Sequence, residues 1–406
     1  MEVISFINDL IIKSRQALKE FEKYNQKETD EIVKTIGRVI FDNAEELARL
    51  AIEETGMGVY KDKVEKNKGK AKTIWNDLKD KKSVGIIDRN ETTGIIKIAK
   101  PMGVVAAIMP TTNPIVTMMS NAMFALKGRN SIIIAPHPRA KKCNYQTVEL
   151  VNRALEKLNA PKNLIQTVGE PSIELSNELM KHADVVIATG GSNMVKAAYS
   201  SGKPSYGVGP GNVQVIVDKG INIKEVVPKI ISGRIFDNGI ICSGEQSVIL
   251  HEDDYDLAIE EFKNNSCYYI KNPCKKEAIV KILFPDEKMM NKDAVGKSPY
   301  ELGVMSDIPI PKDTKAILVE ACGIGKEDLI CKEKMCPVLA VFRYKRFEDA
   351  VLIAQTNLEL EGKGHTAGIY SNNIKNIEYV GNNLSVSRLV VNQPTSTTAG
   401  GSVNVK

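Results

Sequence analysis

From residue 103 onward the chain alternates short, unbroken apolar runs with segments of helical periodicity, and no other feature constrains the fold as tightly. The runs 103–109, 131–135, 164–168 and 184–188 read as strands, and 114–127, 141–158 and 172–181 between them read as helices. A strand that is apolar at every position must be covered on both faces, which is the condition of a parallel sheet whose crossovers are helices. A further strand is expected at 213–217, then a helix from Ile223 that leads to Cys242. The rhythm restarts beyond it, with strands near 247–250, 316–320, 338–342, 366–370 and 388–391. Ahead of the first run, residues 2–82 carry apolar side chains at three- and four-residue spacing, as Ile32, Val33, Ile36, Val39 and Ile40 do, which marks helices. Residues 84–87 and 94–98 flank a polar turn and read as a β-hairpin. The expectation is an α/β protein of two domains, with ligands at the carboxyl ends of its strands.

Composition narrows the class. A chain of 406 residues is long enough for two cores, and 43% hydrophobic with 26% charged residues is ordinary for a globular protein. The net charge of +5 is slight. The densest basic run, 61–82, is interrupted by Asp62, Glu65, Asp77 and Asp80, so a solvated helix face is expected there and nucleic acid is not an expected partner. Cys331 and Cys336 lack zinc-site spacing and have no histidine pair nearby, so no metal is expected. An odd number of unclustered cysteines, seven, suits a reducing compartment and a cytoplasmic location. The first residues lack the basic segment of a signal peptide, and no run of about 18 apolar residues suggests a membrane span.

Four segments end strands or open helices and carry the polar chemistry. Cys242 lies between a Gly-containing turn and an apolar strand, a position that presents a thiol, although a lone cysteine is more often a small buried hydrophobe. Asn113, just before Pro114, suits a helix cap; its amide pointing into a cleft is the alternative. Thr189-Gly190-Gly191-Ser192 follows a strand and would let a phosphate or a nicotinamide ring approach backbone N–H groups. Residues 207–212, Gly-Val-Gly-Pro-Gly-Asn, read as a rigid turn without a titratable side chain, and Glu333 alone reads as a solvated acid.

In order and spacing these segments resemble the aldehyde dehydrogenase superfamily over almost the whole chain. Within it they are similar to the coenzyme A-acylating branch, which includes acylating acetaldehyde and succinate-semialdehyde dehydrogenases. The resemblance is carried by EETGMGVYKDKV at 53–64, TNP at 112–114, GRN at 128–130, ATGG at 188–191, KAAYSSGKP at 196–204 and GVGPGN at 207–212. It continues through FDNGIICSGEQSVI at 236–249, KEKMCPV at 332–338, EGKGHTAGIYS at 361–371 and SRLVVNQP at 387–394. It implies a Rossmann-like nucleotide-binding domain of residues 1–83 and 101–237, an oligomerisation hairpin at 84–100 and an α/β catalytic domain over 238–406.

The resemblance also implies roles. Cys242 would attack the aldehyde as a thiolate, and the Asn113 amide with the Cys242 N–H would hold the oxyanion. Thr111, Thr112, His137, Pro138, Arg139, Thr189, Gly190, Gly191, Ser192, Gly209 and Glu333 would bind NADP or NAD, with Glu333 on the nicotinamide ribose. Hydrolytic relatives carry a glutamate at the position of Gly207 to activate water; its absence here points to coenzyme A as the acyl acceptor. Glu245 is the acid that could substitute, but three residues past the nucleophile it is expected to face structure. The adenosine-ribose region after 131–135 has no acid, and Arg139, Lys141 and Lys142 could meet a 2′-phosphate, so NADP use or dual use is expected. His365 is matched to a histidine of the acylating branch, and Ser243 and Arg388 are candidates for the distal carboxylate of succinate semialdehyde. Family members pair through the hairpin as dimers or larger assemblies, and continue past the motif at 399–402 with a terminal strand that completes that pairing; a chain ending here is expected to be C-terminally truncated, or at the extreme an inactive remnant that only binds nucleotide or partner subunits.

Overall fold

The computed structural model describes residues 2–398, so the motif at 399–402 lies outside the described residues. The described residues divide into two compact units: 2–56 with 63–209, and 57–62 with 210–398.

The first unit is built on a five-stranded sheet in the order Ile165–Thr167, Ser131–Ala135, Val104–Ile108, Val185–Thr189, Ser205–Val208. Every pairing in it is parallel. Val104–Ile108 and Ser131–Ala135 are buried at every position, as their unbroken apolar sequences require. Helices Gln26–Asp42, Pro114–Lys127 and Lys141–Glu156 cover one face through Ile32, Ile36, Met119, Met123 and Val151, among others. Helices Glu2–Phe21 and Ile173–His182 cover the other through Ile7, Leu10 and Leu179. The helix Gln26–Asp42 starts where a capping box forms, with the Asn25 side chain accepting from the Glu28 N–H and Glu28 reaching back to the Asn25 N–H. Gly207 and Val208, expected to open the turn at 207–212, instead belong to the edge strand Ser205–Val208, whose alternating exposure hid it among glycines. The hairpin forms as expected, Gly85–Asn90 against Ile95–Ala99, with Ile86, Ile95, Ile96 and Ile98 exposed.

The second unit holds a seven-stranded sheet in the order Cys267–Ile270, Ala316–Glu320, Val338–Tyr344, Glu245–His251, Val213–Val217, Thr366–Tyr370, Arg388–Val391, also parallel throughout. The division between units therefore falls at 209/210 rather than at the expected 237/238. The reason is strand pairing: Val213–Val217 is bonded on one side to Glu245–His251 and on the other to Thr366–Tyr370. Strand Cys267–Ile270 was not apparent in the sequence, being short and only partly buried at Tyr268 and Tyr269. Among the described residues no helix is long and apolar enough to cross a membrane.

Candidate active site

In the first unit Val104–Ile108 has Ser131–Ala135 on one side and Val185–Thr189 on the other, so connections diverge at its carboxyl end. Such a switch point opens a crevice, and the segments 110–114 and 189–192 emerge beside it. Thr111, Thr112 and Asn113 thus follow one strand, while Gly190 and Gly191 follow its neighbour and lead into helix Ser192–Tyr199. A Cβ at Gly191 or Gly209 would meet nothing within 4 Å, so both backbones are open to a ligand.

Asn113 does not cap its helix, contrary to the bland reading of the sequence. Its Oδ1 accepts from Lys66 Nζ at 2.6 Å, and its Nδ2 lies 3.4 Å from Thr112 Oγ1. Lys66 and Lys63 are each only 6% exposed, so the expected solvated face of helix Tyr60–Leu78 is buried at these two lysines. The periodicity of a helix with interrupting acids carries no sign of which lysines turn inward; that depends on the polar groups they meet.

The third strand end holds His137, whose Nδ1 accepts the Arg139 N–H at 3.1 Å, with Arg139 exposed beside it. The sequence shows no acid here, but folding brings two. Glu54 accepts the Lys142 and Cys143 N–H groups at 2.8 and 2.7 Å, and Glu170 pairs with Lys141. Of the three basic residues expected to meet a 2′-phosphate, Lys141 is already engaged.

In the second unit the candidate residues gather at the amino ends of adjacent strands, not the carboxyl ends. Glu333 precedes Val338–Tyr344, Cys242 precedes Glu245–His251, Gly211 precedes Val213–Val217, His365 precedes Thr366–Tyr370 and Arg388 opens Arg388–Val391. These strands are consecutive neighbours in the sheet. Cys242 is exposed, whereas burial pushes the thiols of Cys267, Cys331 and Cys336 up to about 12 and that of Cys143 up as well. The turn ahead of Cys242 has three successive left-handed residues: Asp237 (φ 52°), Asn238 (φ 50°) and Gly239 (φ 73°). Such strain persists only where surroundings over-determine it. Here Asp237 Oδ1 accepts the Val59 N–H at 2.8 Å, the Asp237 N–H donates to Asp62 at 2.7 Å, and Asn238 Nδ2 donates to the Gly296 carbonyl at 3.0 Å. Beneath the turn the fully buried Arg234 donates to the carbonyls of Glu245, Lys334 and Cys336.

Glu333 is a structural acceptor as well as a candidate ligand: Oε1 takes the Gly211 N–H at 2.8 Å. Burial, the largest influence, raises its carboxyl above the ordinary value, with the Gly211 N–H opposing. Arg388 places Nε and Nη2 on Thr366 Oγ1 at 3.1 and 2.8 Å, and Nη1 on the Thr398 carbonyl at 3.1 Å. Burial lowers its pKa and the Cys242 sulfur opposes that shift, so guanidinium and thiolate attract. His365 Nδ1 lies 3.0 Å from the same Thr366 oxygen. Because that oxygen accepts from Arg388, its own hydrogen serves His365 Nδ1, which leaves the proton on Nε2. Burial and then Arg388 lower the His365 pKa, so the ring is neutral at pH 7. Ser243 is fully buried, with Oγ lacking a hydrogen-bond partner among the described residues.

Glu245 faces structure, as the sequence suggested. It is fully buried, Oε1 accepts the Thr395 N–H at 2.7 Å, and burial pushes its pKa up from 4.5 to about 7. A carboxyl whose folded value is raised contributes its stability below the unfolded value and loses it as pH rises through the folded one. Glu245→Gln should therefore flatten the decline in stability between pH 4.5 and about 7. Relative to wild type it should gain roughly 3 kcal/mol on going from pH 4.5 to pH 8.5, read from urea unfolding at the two pH values.

The aldehyde dehydrogenase family model matches residues 6–279 and 325–403. A succinate-semialdehyde dehydrogenase (acetylating) of Clostridium kluyveri is 54% identical over 398 residues, covering 98% of this chain and 87% of that protein. The crystal structure of an acetylating aldehyde dehydrogenase from Geobacillus thermoglucosidasius superposes with a TM-score of 0.95 at 39% identity, over 100% of this chain and 90% of that one. A Rhodopseudomonas palustris propionaldehyde dehydrogenase with bound propionyl-CoA gives 0.86 at 30% identity, over 97% and 87%. The chain belongs to the aldehyde dehydrogenase family, in its acylating branch. It is an oxidoreductase with the fold the sequence resemblance implied.

Lys66, Gly211, Asp237 and Thr366 were not singled out in the sequence. The Asp-Asn-Gly run before Cys242 was the one available signal among them, since these residue types tolerate left-handed backbone.

Proposed function

We propose that the protein interconverts succinate semialdehyde plus coenzyme A with succinyl-CoA through a thioester on Cys242, using NADP or NAD. The observation that carries this reading is Gly207, where hydrolytic relatives hold their water-activating glutamate. Tyr199 and Val195 occupy the space above it: a Cβ on Gly207 would lie 2.6 Å from Val195 Cγ1 and 2.9 Å from Tyr199 Cε2. No acid stands at that position, and a side chain there would require Val195 and Tyr199 to shift.

In the oxidative direction the Cys242 thiolate adds to the aldehyde carbonyl, and the Asn113 amide and the Cys242 N–H stabilise the oxyanion. The strand ends at 110–114, 137–139 and 189–192 would hold a nicotinamide nucleotide and Glu333 would meet its ribose; when bound, that nucleotide would accept the hydride. The remaining Cys242 thioester meets no activated water and is taken by the coenzyme A thiol. His365, neutral with its proton on Nε2, offers a donor rather than a base to that step. Arg388, whose hydrogen bonds among the described residues go to the neutral Thr366 hydroxyl and Thr398 carbonyl, suits the distal carboxylate of succinate semialdehyde, in keeping with the substrate named for the Clostridium kluyveri relative. The exposed isoleucines of the hairpin support its use as an arm that pairs with another copy of the chain.

Reduced-nucleotide absorbance followed with succinate semialdehyde, with and without coenzyme A, tests the reading. Turnover that requires coenzyme A is expected, and equal turnover without it would mean hydrolysis. Arg139→Ala should raise KM for NADP about tenfold or more while leaving KM for NAD within about twofold, because only NADP presents the extra phosphate.

A further inference from the structure

Lys66 is the group in the first unit whose position the reaction as described leaves unexplained. It sits on helix Tyr60–Leu78, nearly buried, with its ammonium 2.6 Å from Asn113 Oδ1. Lys66, Lys63 and Asn67 line one small pocket with Thr112 and Asn113.

An asparagine amide has an acceptor end and a donor end, and only the acceptor end can face an ammonium group. The contact therefore fixes the flip of Asn113: oxygen toward Lys66, Nδ2 turned away. Asn113 occupies the position before Pro114 where such a residue ordinarily turns its oxygen back onto the helix N–H groups, and it makes no such bond. The lysine holds the oxygen out of that competing arrangement. It also draws electron density toward Oδ1, which strengthens Nδ2–H as a donor, since neighbouring hydrogen bonds polarise one another.

We propose that Lys66 is a positioning residue for the oxyanion: it orients and polarises the Asn113 amide so that Nδ2–H is presented to the reacting carbonyl. The proposal rests on the reading of Asn113 as an oxyanion donor.

The test uses the full chain with Lys66→Met, Lys66→Arg, Asn113→Ala and the Lys66→Met/Asn113→Ala double variant. Turnover is measured with succinate semialdehyde, and alkylation of Cys242 by iodoacetamide is measured by peptide mapping. Alkylation forms no oxyanion, so it reports folding and nucleophile integrity alone. Lys66→Met should lower kcat about 10- to 100-fold with little change in KM for the aldehyde or in alkylation rate, and Lys66→Arg should restore most of kcat. Asn113→Ala should lower kcat about 100- to 1,000-fold, and the double variant should be no slower than Asn113→Ala. Wild-type kcat in Lys66→Met beside an impaired Asn113→Ala would overturn the positioning role alone. Wild-type kcat in Asn113→Ala would overturn the oxyanion assignment beneath it. A loss from Lys66→Met that persists undiminished in the Asn113→Ala background, or slowed alkylation to match, would show that Lys66 acts on something other than that amide.

Discussion

Cys242→Ala is expected to lower coenzyme A-dependent turnover by about 10,000-fold or more, because the covalent step has no substitute in this chain. The other exposed thiols, Cys274 and Cys322, flank strands at the far edge of the seven-stranded sheet, away from the row of strand starts that holds Glu333, Gly211, His365 and Arg388. The four buried cysteines are held as thiols and are not nucleophiles. Since the Cys242 side chain is exposed, its loss should leave Tm and nucleotide binding close to wild type. A loss of activity with unchanged nucleotide affinity is thus the expected signature, read by steady-state kinetics beside a nucleotide titration.

The second large effect is expected from Gly211→Ala. A Cβ at this position would overlap the backbone carbonyl of Cys242, and backbone cannot rotate aside as a side chain can. The neighbouring constraints leave little slack: the Gly211 N–H is bound by Glu333, Asn212 Nδ2 donates to the Cys331 carbonyl at 2.7 Å, and the turn before Cys242 is pinned through Asp237. Either Cys242 or the Gly211 strand start must shift. A displacement of the order of 1 Å at a reacting group costs about 100-fold in rate, so kcat should fall by at least that much. The alkylation rate of Cys242 should change as well, which separates this variant from one that only weakens substrate binding.

Much of the fold was legible in the sequence because burial on both faces leaves an unmistakable pattern. Ser131–Ala135, Val213–Val217, Ala316–Glu320, Thr366–Tyr370 and Arg388–Val391 fall where the apolar runs put them, as does helix Pro114–Lys127. Ser205–Val208 and Cys267–Ile270 were missed because both are short sheet-edge strands, the first alternately exposed and the second only partly buried at its two tyrosines, where the pattern fades. The place of the boundary was illegible for a different reason: strand Val213–Val217 looks the same in sequence whichever sheet it joins.

The candidate site is read from family motifs more than from local chemistry. Cys242, Asn113 and Glu333 stood in matched motifs, but nothing local told that Glu333 would bind the Gly211 N–H or that Lys66 would turn inward onto Asn113. The acids beside the adenosine-ribose region were invisible because Glu54 and Glu170 come from other segments of the chain. Contacts between residues far apart in sequence are fixed by topology, and the general rule for parallel sheets misled at one point. The second unit gathers its candidate residues at the amino ends of its strands, where loops entering the sheet bring Gly211, Cys242, Glu333 and His365 side by side.

The thioester itself can be weighed. The protein is mixed with succinate semialdehyde and NADP in the absence of coenzyme A, quenched in acid, and followed by intact and peptide mass spectrometry. A succinyl adduct confined to the peptide carrying Cys242 should form within the first turnover, persist while coenzyme A is withheld, and disappear with formation of succinyl-CoA when it is added. Loss of the adduct to free succinate at the same rate without coenzyme A, or an adduct on any other cysteine, would contradict a Cys242 thioester reserved for coenzyme A.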